Sequence, residues 1–386
     1  MFISKVFDVV KFIFAYLFSF GLKFIKKDIW LITERRFECK DNGYYLYKYI
    51  RENHPDRNAY YVIDKKSKQI EKIKDYDNII YFNSFKHYVY ALASSKLIGA
   101  FIPVGIPDSV CFYKFDKLIK GKRVFLQHGI TKEKIASLIS NNLDVKLFIC
   151  GAKPEYEYVN SEFGYENGVV KYTGFCRYDG LNNYKTEKFI LVMPTWRQWI
   201  PSATFGNGKI SNLDEYDYFV KYKELLSNEE LNDLLLSSDY KLLFFLHHEM
   251  QPYIDYFQNC GNEHITICSE NDYDVQYLLK SAALLITDYS SVAFDFAYMK
   301  KPIIYYQFDE SLYYKKHYER GYFDYDKMGF GRKVNDVSGL LFEIKKIINN
   351  GFDVDEKYLK HIDEFFVYRD NKNCERVYNS ILYIGD

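Results

Sequence analysis

Short apolar runs alternate with helix-period segments along most of this chain. The runs at 29–32, 59–63, 79–82, 97–101, 123–127 and 147–150 read as strands apolar on both faces, the mark of a sheet covered by helices on both sides. Asn42–Asn53 (NGYYLYKYIREN) has helical periodicity, and another helix starts at Pro154. The pattern pauses over the polar stretch 178–188. It resumes with strands at 189–193, 241–246, 265–267, 282–286 and 302–306, and the tail from Asp353 onward reads as helical. Strands alternating with helices in two halves of similar length predict an α/β protein of two Rossmann-like domains facing across a cleft. The predicted divisions are 1–27, 28–180, 181–350 and a helical tail at 351–386. The segment 200–212, holding Pro, Gly and Asn, reads as a loop near the site. In sheets of this kind ligands bind beyond the carboxyl ends of the strands.

Residues 1–27 depart from that pattern. Their longest uncharged run, 12–22, is short of the ~20 residues a bilayer span requires. Asp8 and Lys11 interrupt the front, and no small-residue cleavage site follows, unlike a signal peptide. On a helical wheel Ser4, Lys5, Asp8, Lys11, Ser19, Lys23, Lys26 and Lys27 share one sector, and the rest is almost wholly Phe, Val, Ile, Leu and Tyr. This predicts an amphipathic helix lying in a membrane interface with its lysines toward the headgroups. A helix packed on the protein's own body is the alternative.

Composition narrows the function classes. The chain has 386 residues, 48% of them hydrophobic, which excludes global disorder. Lys+Arg and Asp+Glu both number 52, so nothing suggests a general nucleic-acid coat. The seven cysteines (39, 111, 150, 176, 260, 268, 374) are scattered and lack CxxC spacing, so neither a zinc site nor a disulfide framework is expected, and a reducing cytoplasmic location fits best.

The residues capable of chemistry fall at strand ends. The most informative stretch is 284–302, LLITDYSSVAFDFAYMKKP, which reads as strand, hydroxyl-rich turn and helix, with a further strand after it. Thr287, Asp288, Ser290 and Ser291 occupy the turn, where unpaired N–H groups and hydroxyls suit a phosphate or pyrophosphate. The plain alternative is an N-cap serine. His128-Gly129 closes another strand, and an imidazole there can take a proton from a hydroxyl. Arg197 follows the strand 189–193 and has the fork that neutralises phosphate oxygens, or else makes an ordinary ion pair. His247 and His248 follow 241–246. Being adjacent, they point in different directions, so at most one is expected in the site, and they make a poor metal pair. Asp324 and Asp326, in Tyr322-Phe323-Asp324-Tyr325-Asp326, could meet a ribose or base, though most acidic loop residues are merely solvated.

With those residues in hand, the chain resembles the CDP-glycerol glycerophosphotransferase family of the teichoic acid polymerase type. The resemblance runs from about Trp30 to Val334. Its pieces occur in order: Trp30-Leu31-Ile32 with Glu34-Arg35, Asp41-Asn42-Gly43, Gln127-His128-Gly129, Thr173-Gly174-Phe175 with Arg177 and Asp179, Pro194-Thr195-Trp196-Arg197, Leu246-His247 with Met250, Ile286-Thr287-Asp288-Tyr289-Ser290-Ser291, and Gly329 with Gly331. The resemblance implies a GT-B-like fold, peripheral attachment to the cytoplasmic face of a bacterial cell membrane, and no metal or other cofactor. It implies that a hydroxyl on a lipid-linked polymer attacks the glycerol-bearing phosphorus of a CDP-activated donor and CMP leaves. His128 matches a proposed general base and His247 a second histidine near the phosphates. Arg197, Thr287, Ser290 and Ser291 fall where donor phosphates need support, with Gly129, Asp288, His248 and Asp324 as secondary candidates. Departures occur at Ile130-Thr131-Lys132 and His248, where many members have Thr-Pro-Leu-Lys and Pro. These leave the acceptor open between capsule and wall polymers. CDP-ribitol as donor, a UDP-sugar transferase of the same fold, and a non-catalytic membrane module are the competing readings.

Overall fold

A computed structural model describes residues 2–182, 184–202, 210, 212–270 and 272–384, with side chains from residue 6 onward. The chain forms two compact units. The first takes in residues up to Ile130, Ile135–Gly180 and the chain from Val367 on; the second holds Thr131–Lys134 and Leu181–Phe366. The C-terminal tail is thus shared: the helix Glu356–Phe365 belongs to the second unit and Asn373–Leu382 to the first. Most of the loop 200–212 lies outside the described residues.

In the first unit, strands β1 (Trp30–Thr33), β2 (Ala59–Ile63), β3 (Ile79–Tyr81), β4 (Lys96–Gly99), β5 (Lys122–Phe125), β6 (Leu147–Cys150) and β7 (Val170–Tyr172) form one parallel sheet in the order β3-β2-β1-β4-β5-β6-β7. In the second, β8 (Phe189–Val192), β9 (Lys241–Phe245), β10 (Ile265–Cys268), β11 (Leu284–Thr287), β12 (Ile303–Tyr306) and β13 (Gly331–Val334) form another, ordered β10-β9-β8-β11-β12-β13. Strand order reverses between β1 and β4 in one sheet and between β8 and β11 in the other. Those are the crevices where such folds take ligands. β1, β4, β6, β8, β11 and β12 are buried along their whole length, which is why they read as continuous apolar runs.

The N-terminal helix α1 (Phe2–Ile25) packs on α3 (Phe85–Ala93) and α4 (Val110–Lys114), separated in sequence by α2 (Asn42–Asn53). The helix lies against the protein's own body, the alternative named above, and it is Lys11, expected to point toward headgroups, that faces inward. Ser4 and Lys5 lie outside the described side chains. Asp8 accepts hydrogen bonds from the hydroxyls of Tyr88 and Ser109, each at 2.7 Å. Lys11 donates to the Asn83 carbonyl and lies 3.9 Å from the centroid of the Tyr88 ring. Phe12, Ala15 and Ser19 are buried between these contacts. Polar groups can face inward here because each finds a partner. The outward side is the aromatic one: Phe7 is 71% exposed, Phe18 60% and Phe24 89%, with Ile13, Phe14 and Leu17 between them. Lys23 and Lys27 stay exposed at the helix end, and Lys26 donates to the Tyr60 hydroxyl at 2.5 Å. No helix among the described residues is long and apolar enough to cross a membrane.

Candidate functional site

In the second unit the chemistry gathers past β8 and β11. Two bonds stitch these strand ends together: the Thr287 hydroxyl donates to the Met193 carbonyl at 2.7 Å, and the Thr195 N–H donates to Asp288 Oδ1 at 2.9 Å. Arg197 is fully buried behind the stitch. Its Nε and Nη2 donate to the two oxygens of Asp309 at 2.6 and 3.1 Å. Nη1 donates to the Thr195 carbonyl at 2.9 Å and lies 2.8 Å from Asp288 Oδ2. The last contact is an ion pair without an aimed hydrogen bond, since that oxygen has no partner of good angle. Burial works to strip the guanidinium of its charge, but Asp288 and Asp309 outweigh it and hold Arg197 well above its usual range. One cation facing two carboxylates leaves a negative excess. Burial first, with Asp309 adding to it, raises Asp288 despite Arg197 and the Thr195 N–H. The Arg197 fork is therefore spent on carboxylates, and the Thr287 hydroxyl on the backbone.

Ser290 and Ser291 are differently placed. Both are half-exposed, and neither hydroxyl has a hydrogen-bond partner among the described residues. Ser291 occupies the N-cap position of the helix Val292–Tyr298 yet makes no capping bond. The turn is held instead from behind, by Tyr289 stacked on Tyr313 at 3.7 Å and by Gln307 Nε2 donating to the Asp288 carbonyl at 2.9 Å.

Two histidines flank Trp196. His247 caps the segment after β9, its Nδ1 accepting from the Glu249 N–H at 3.2 Å, with its ring roughly parallel to Trp196 at 6.5 Å. His317 stands edge-on to Trp196 at 4.8 Å, and its Nδ1 accepts from the Gln198 N–H at 2.9 Å. Because each Nδ1 accepts, these bonds assign the proton to Nε2 in the neutral rings. Burial pushes His317 down to about 3, with Arg197, Lys132 and His247 adding to the effect. Lys132 is buried in the same unit. Its ammonium touches the Glu133 carboxylate, and its backbone is pressed on Gly321, where any Cβ would collide with the Lys132 carbonyl. Burial pulls Lys132 down to about 7 and Asp288 pushes it back. The contact with Glu133 favours the charged form as well. The sequence reading missed both residues. Lys132 lies in the motif already noted for the first histidine, and that position was the available signal.

The other second-unit candidates are occupied elsewhere. His248 is exposed and pairs with Glu270 at 2.7 Å. Asp324 caps a short helix by accepting from the N–H groups of Asp326 and Lys327. Among the described residues no cluster of His, Cys, Asp and Glu could hold a metal ion.

In the first unit His128 follows β5. The left-handed residue of its turn is Gln127, at φ +58°, not Gly129. A non-glycine residue there needs external restraint. The Gln127 side chain supplies some, donating to the Ile149 carbonyl at 2.6 Å and to Glu155 at 3.0 Å. Asn42 supplies the rest: its Nδ2 donates to the Gln127 carbonyl at 2.8 Å, and its Oδ1 accepts from the Arg177 N–H at 3.0 Å. The His128 ring stacks on Phe101 at 4.6 Å, and the Arg35 guanidinium lies 4.4 Å from the Phe101 centroid. His128 is open to solvent on one side but has protein crowded round the rest. Desolvation by that protein, then Arg35 and Arg177, push the imidazole down to about 4 against a bond to the Ala100 backbone. For a ring with an open side the direction is what matters: it is neutral at pH 7 and able to accept a proton.

The α2 N-terminus at the β1/β4 crevice is already filled. Glu34 is buried there and accepts the N–H groups of Lys40, Asp41 and Tyr44 at 2.6–2.9 Å. Burial, with the neighbouring Asp41, raises it to about 7 against those three bonds. A carboxyl group of the protein itself stands where a bound phosphate would sit in a nucleotide-binding half.

A family model described as CDP-Glycerol:Poly(glycerophosphate) glycerophosphotransferase matches residues 14–383. The minor teichoic acid biosynthesis protein GgaB of Bacillus subtilis is 34% identical over 371 residues, which cover 94% of this chain and 40% of GgaB. The teichoic acid glycerol-phosphate transferase of Staphylococcus aureus is 25% identical, over 89% of this chain and 90% of its own length. Among solved structures, the wall teichoic acid polymerase TagF shares the fold at a TM-score of 0.63 and 18% identity, over 98% of this chain and 97% of that one. This chain spans less than half the length of the first curated relatives it matches.

Proposed function

Because the chain belongs to the CDP-Glycerol:Poly(glycerophosphate) glycerophosphotransferase family, we propose that it transfers glycerol phosphate from CDP-glycerol to a hydroxyl of a teichoic-acid-like or capsular polymer. The acceptor oxygen forms a bond to the glycerol-bearing phosphorus as the bond from that phosphorus to the bridging oxygen breaks. CMP departs with the electron pair, and the hydroxyl proton passes to the neutral imidazole of His128. That ring suits the role by being neutral, exposed and held in place by Asn42 and Gln127. The second unit holds the donor. The Ser290 and Ser291 hydroxyls and the Nε2–H groups of His247 and His317 are hydrogen-bond donors for the phosphates, and Lys132 brings positive charge. Arg197 positions this turn rather than touching the donor. With little covalent work to do, such a site acts by placement and charge stabilisation.

The observation that carries the assignment of roles is the contrast between the two crevices. At β8/β11 two serine hydroxyls have no partner among the described residues, while at β1/β4 Glu34 already occupies the helix N-terminus. This supports the second unit as the donor domain and the first as the acceptor domain. Product analysis after incubation with CDP-glycerol, CDP-ribitol and UDP-sugars, on a glycerol-phosphate acceptor, tests the reaction. CMP release with growth of a phosphodiester, lost in His128→Ala, is the expected outcome. Release of UDP from a sugar donor would overturn it, and turnover of CDP-ribitol alone would change the polyol.

The outward aromatic face of α1 supports attachment to a membrane surface, where a lipid-linked acceptor is found and a cytoplasmic nucleotide donor reaches it. A face this apolar gains about 25 cal/mol for each Å² removed from water. Replacing Phe7, Phe14 and Phe18 by serine is expected to abolish co-sedimentation with vesicles while leaving turnover of a soluble acceptor. Unchanged sedimentation would refute the attachment.

A further inference from the structure

The first unit carries a concavity rimmed by basic side chains at the amino-terminal edge of its sheet, opposite to the edge that bears His128. It is a cleft of ≈ 710 Å³ beside the starts of β5, β6 and β7 and the end of the helix Asn373–Leu382. That is the size of a ligand site. Its lining includes Lys122, Lys146, Lys171 and Arg376, with Asn379 and Ser380, and no carboxylate among the described residues. Lys146 pairs with Asp144 outside the cleft, and Arg376 with Asp370. Lys122 and Lys171 have no carboxylate partner among the described residues. In a chain with equal numbers of acidic and basic residues, four cations lining one concavity, two of them with no carboxylate partner among the described residues, are a local charge excess. A lysine on an edge strand such as β7 also discourages strand pairing. That role explains Lys171 alone; it requires neither a cleft nor lysines on two further strands.

We propose that this cleft holds a stretch of the phosphodiester polymer whose growing end is at the catalytic site. The inference rests on the transfer reaction proposed above, which makes a chain bearing one negative charge per polyol. Lys122 opens β5 and His128 follows it, so at ~3.3 Å per residue roughly 20 Å of protein separate cleft and base. Only a chain several units long reaches both. A concave cleft fits a single strand, whereas a flat bilayer would meet it only at the rim.

The test uses the full-length protein and lipid-free glycerol-phosphate oligomers of graded length. In a triple variant, Lys122→Glu with Lys146→Glu and Lys171→Glu, long oligomers should bind more than tenfold more weakly. The slope of log affinity against log salt should fall by about 2, since three phosphate contacts are lost. Transfer to a single-unit acceptor should stay at the wild-type rate, and products should be shorter. All three lysines are surface residues, and an unchanged melting temperature would establish that the variant is folded; the milder Lys122→Gln/Lys171→Gln pair should show the same trend. Equal oligomer binding by variant and wild type would overturn the proposal. So would loss of anionic-vesicle binding with oligomer binding intact, which would make the edge a membrane contact. Wild-type protein that binds oligomers through these lysines but transfers no glycerol phosphate would leave the cleft standing and the reaction refuted.

Discussion

Replacing Arg197 by alanine should damage the fold of the second unit before it damages donor binding. The side chain is fully buried between Asp288 and Asp309, with relative exposures of 0% for Arg197, 0% for Asp288 and 5% for Asp309. Alanine would leave two carboxylates facing each other in a dry interior and would empty the space among Tyr218, Tyr289 and Tyr313, whose rings surround the guanidinium at 5.1–5.4 Å. Breaking a buried pair from one side costs about 3–5 kcal/mol, because the remaining charge keeps its desolvation penalty. In a unit of this size that is a fall of roughly 6–20 °C in Tm. Arg197→Lys keeps the charge but loses the two-pronged contact with Asp309, so it should fall between alanine and wild type. Combining Arg197→Met with Asp309→Asn removes one of the two carboxylates that alanine would leave facing each other and should recover at least about 1 kcal/mol. The assay is calorimetric melting of each variant, with the KM for CDP-glycerol measured well below the transition. An alanine variant that melts within about 2 °C of wild type while its donor KM rises tenfold would refute the reasoning. It would show that the guanidinium contacts the donor and that its carboxylate partners contribute little to the fold.

Three further outcomes follow from the same geometry. Since His128 is neutral down to about pH 4, the acid limb of kcat/KM should lie well below the ordinary histidine value of about 6.5, and Arg35→Gln should move it upward; a wild-type limb at 6–7 would contradict this. Burial holds His87 down to about 3, so between its unfolded value near 6.5 and that pH the unfolded chain binds one more proton than the folded chain does. Its contribution is fully present above pH 6.5 and should be lost by about 1.4 kcal/mol per pH unit on acidification; His87→Gln should flatten the acid limb of a denaturation series, and an unchanged limb would sink the assignment. His317→Ala and Lys132→Ala should each raise the KM for CDP-glycerol about tenfold, the loss of one charge-assisted hydrogen bond, while sparing acceptor KM in steady-state assays; equal effects on both substrates would place them elsewhere.

What could be read from the sequence depended on whether a feature is local. The central strands were legible because burial on both faces writes a continuous apolar run. The edge strands β7 (VKY) and β13 (GRKV) were not, because charged residues interrupt their short runs, whereas the edge strands β3 (IIY) and β10 (ITIC) stay apolar enough to be read. β13 depends on Gly331, where any Cβ would collide with the Ile303 carbonyl of its neighbour. Site residues were legible as positions, since a polar group just past a buried strand has little else to do. Their commitments were not. Arg197 and Ser290 looked equally available in the sequence, and what separates them is Asp309, 112 residues from Arg197, which claims the guanidinium while nothing claims the serine hydroxyl. The same limit governs α1. Periodicity divides a helix into two faces but is silent on which one turns inward. That choice was made by Tyr88, Ser109 and Asn83, which offer Asp8 and Lys11 better partners than water and so commit the polar side to the body. Once those bonds form, the aromatic side is left largely exposed among the described residues. The exposed apolar face that supports membrane attachment is therefore a consequence of polar contacts made some 70 to 100 residues further along the chain.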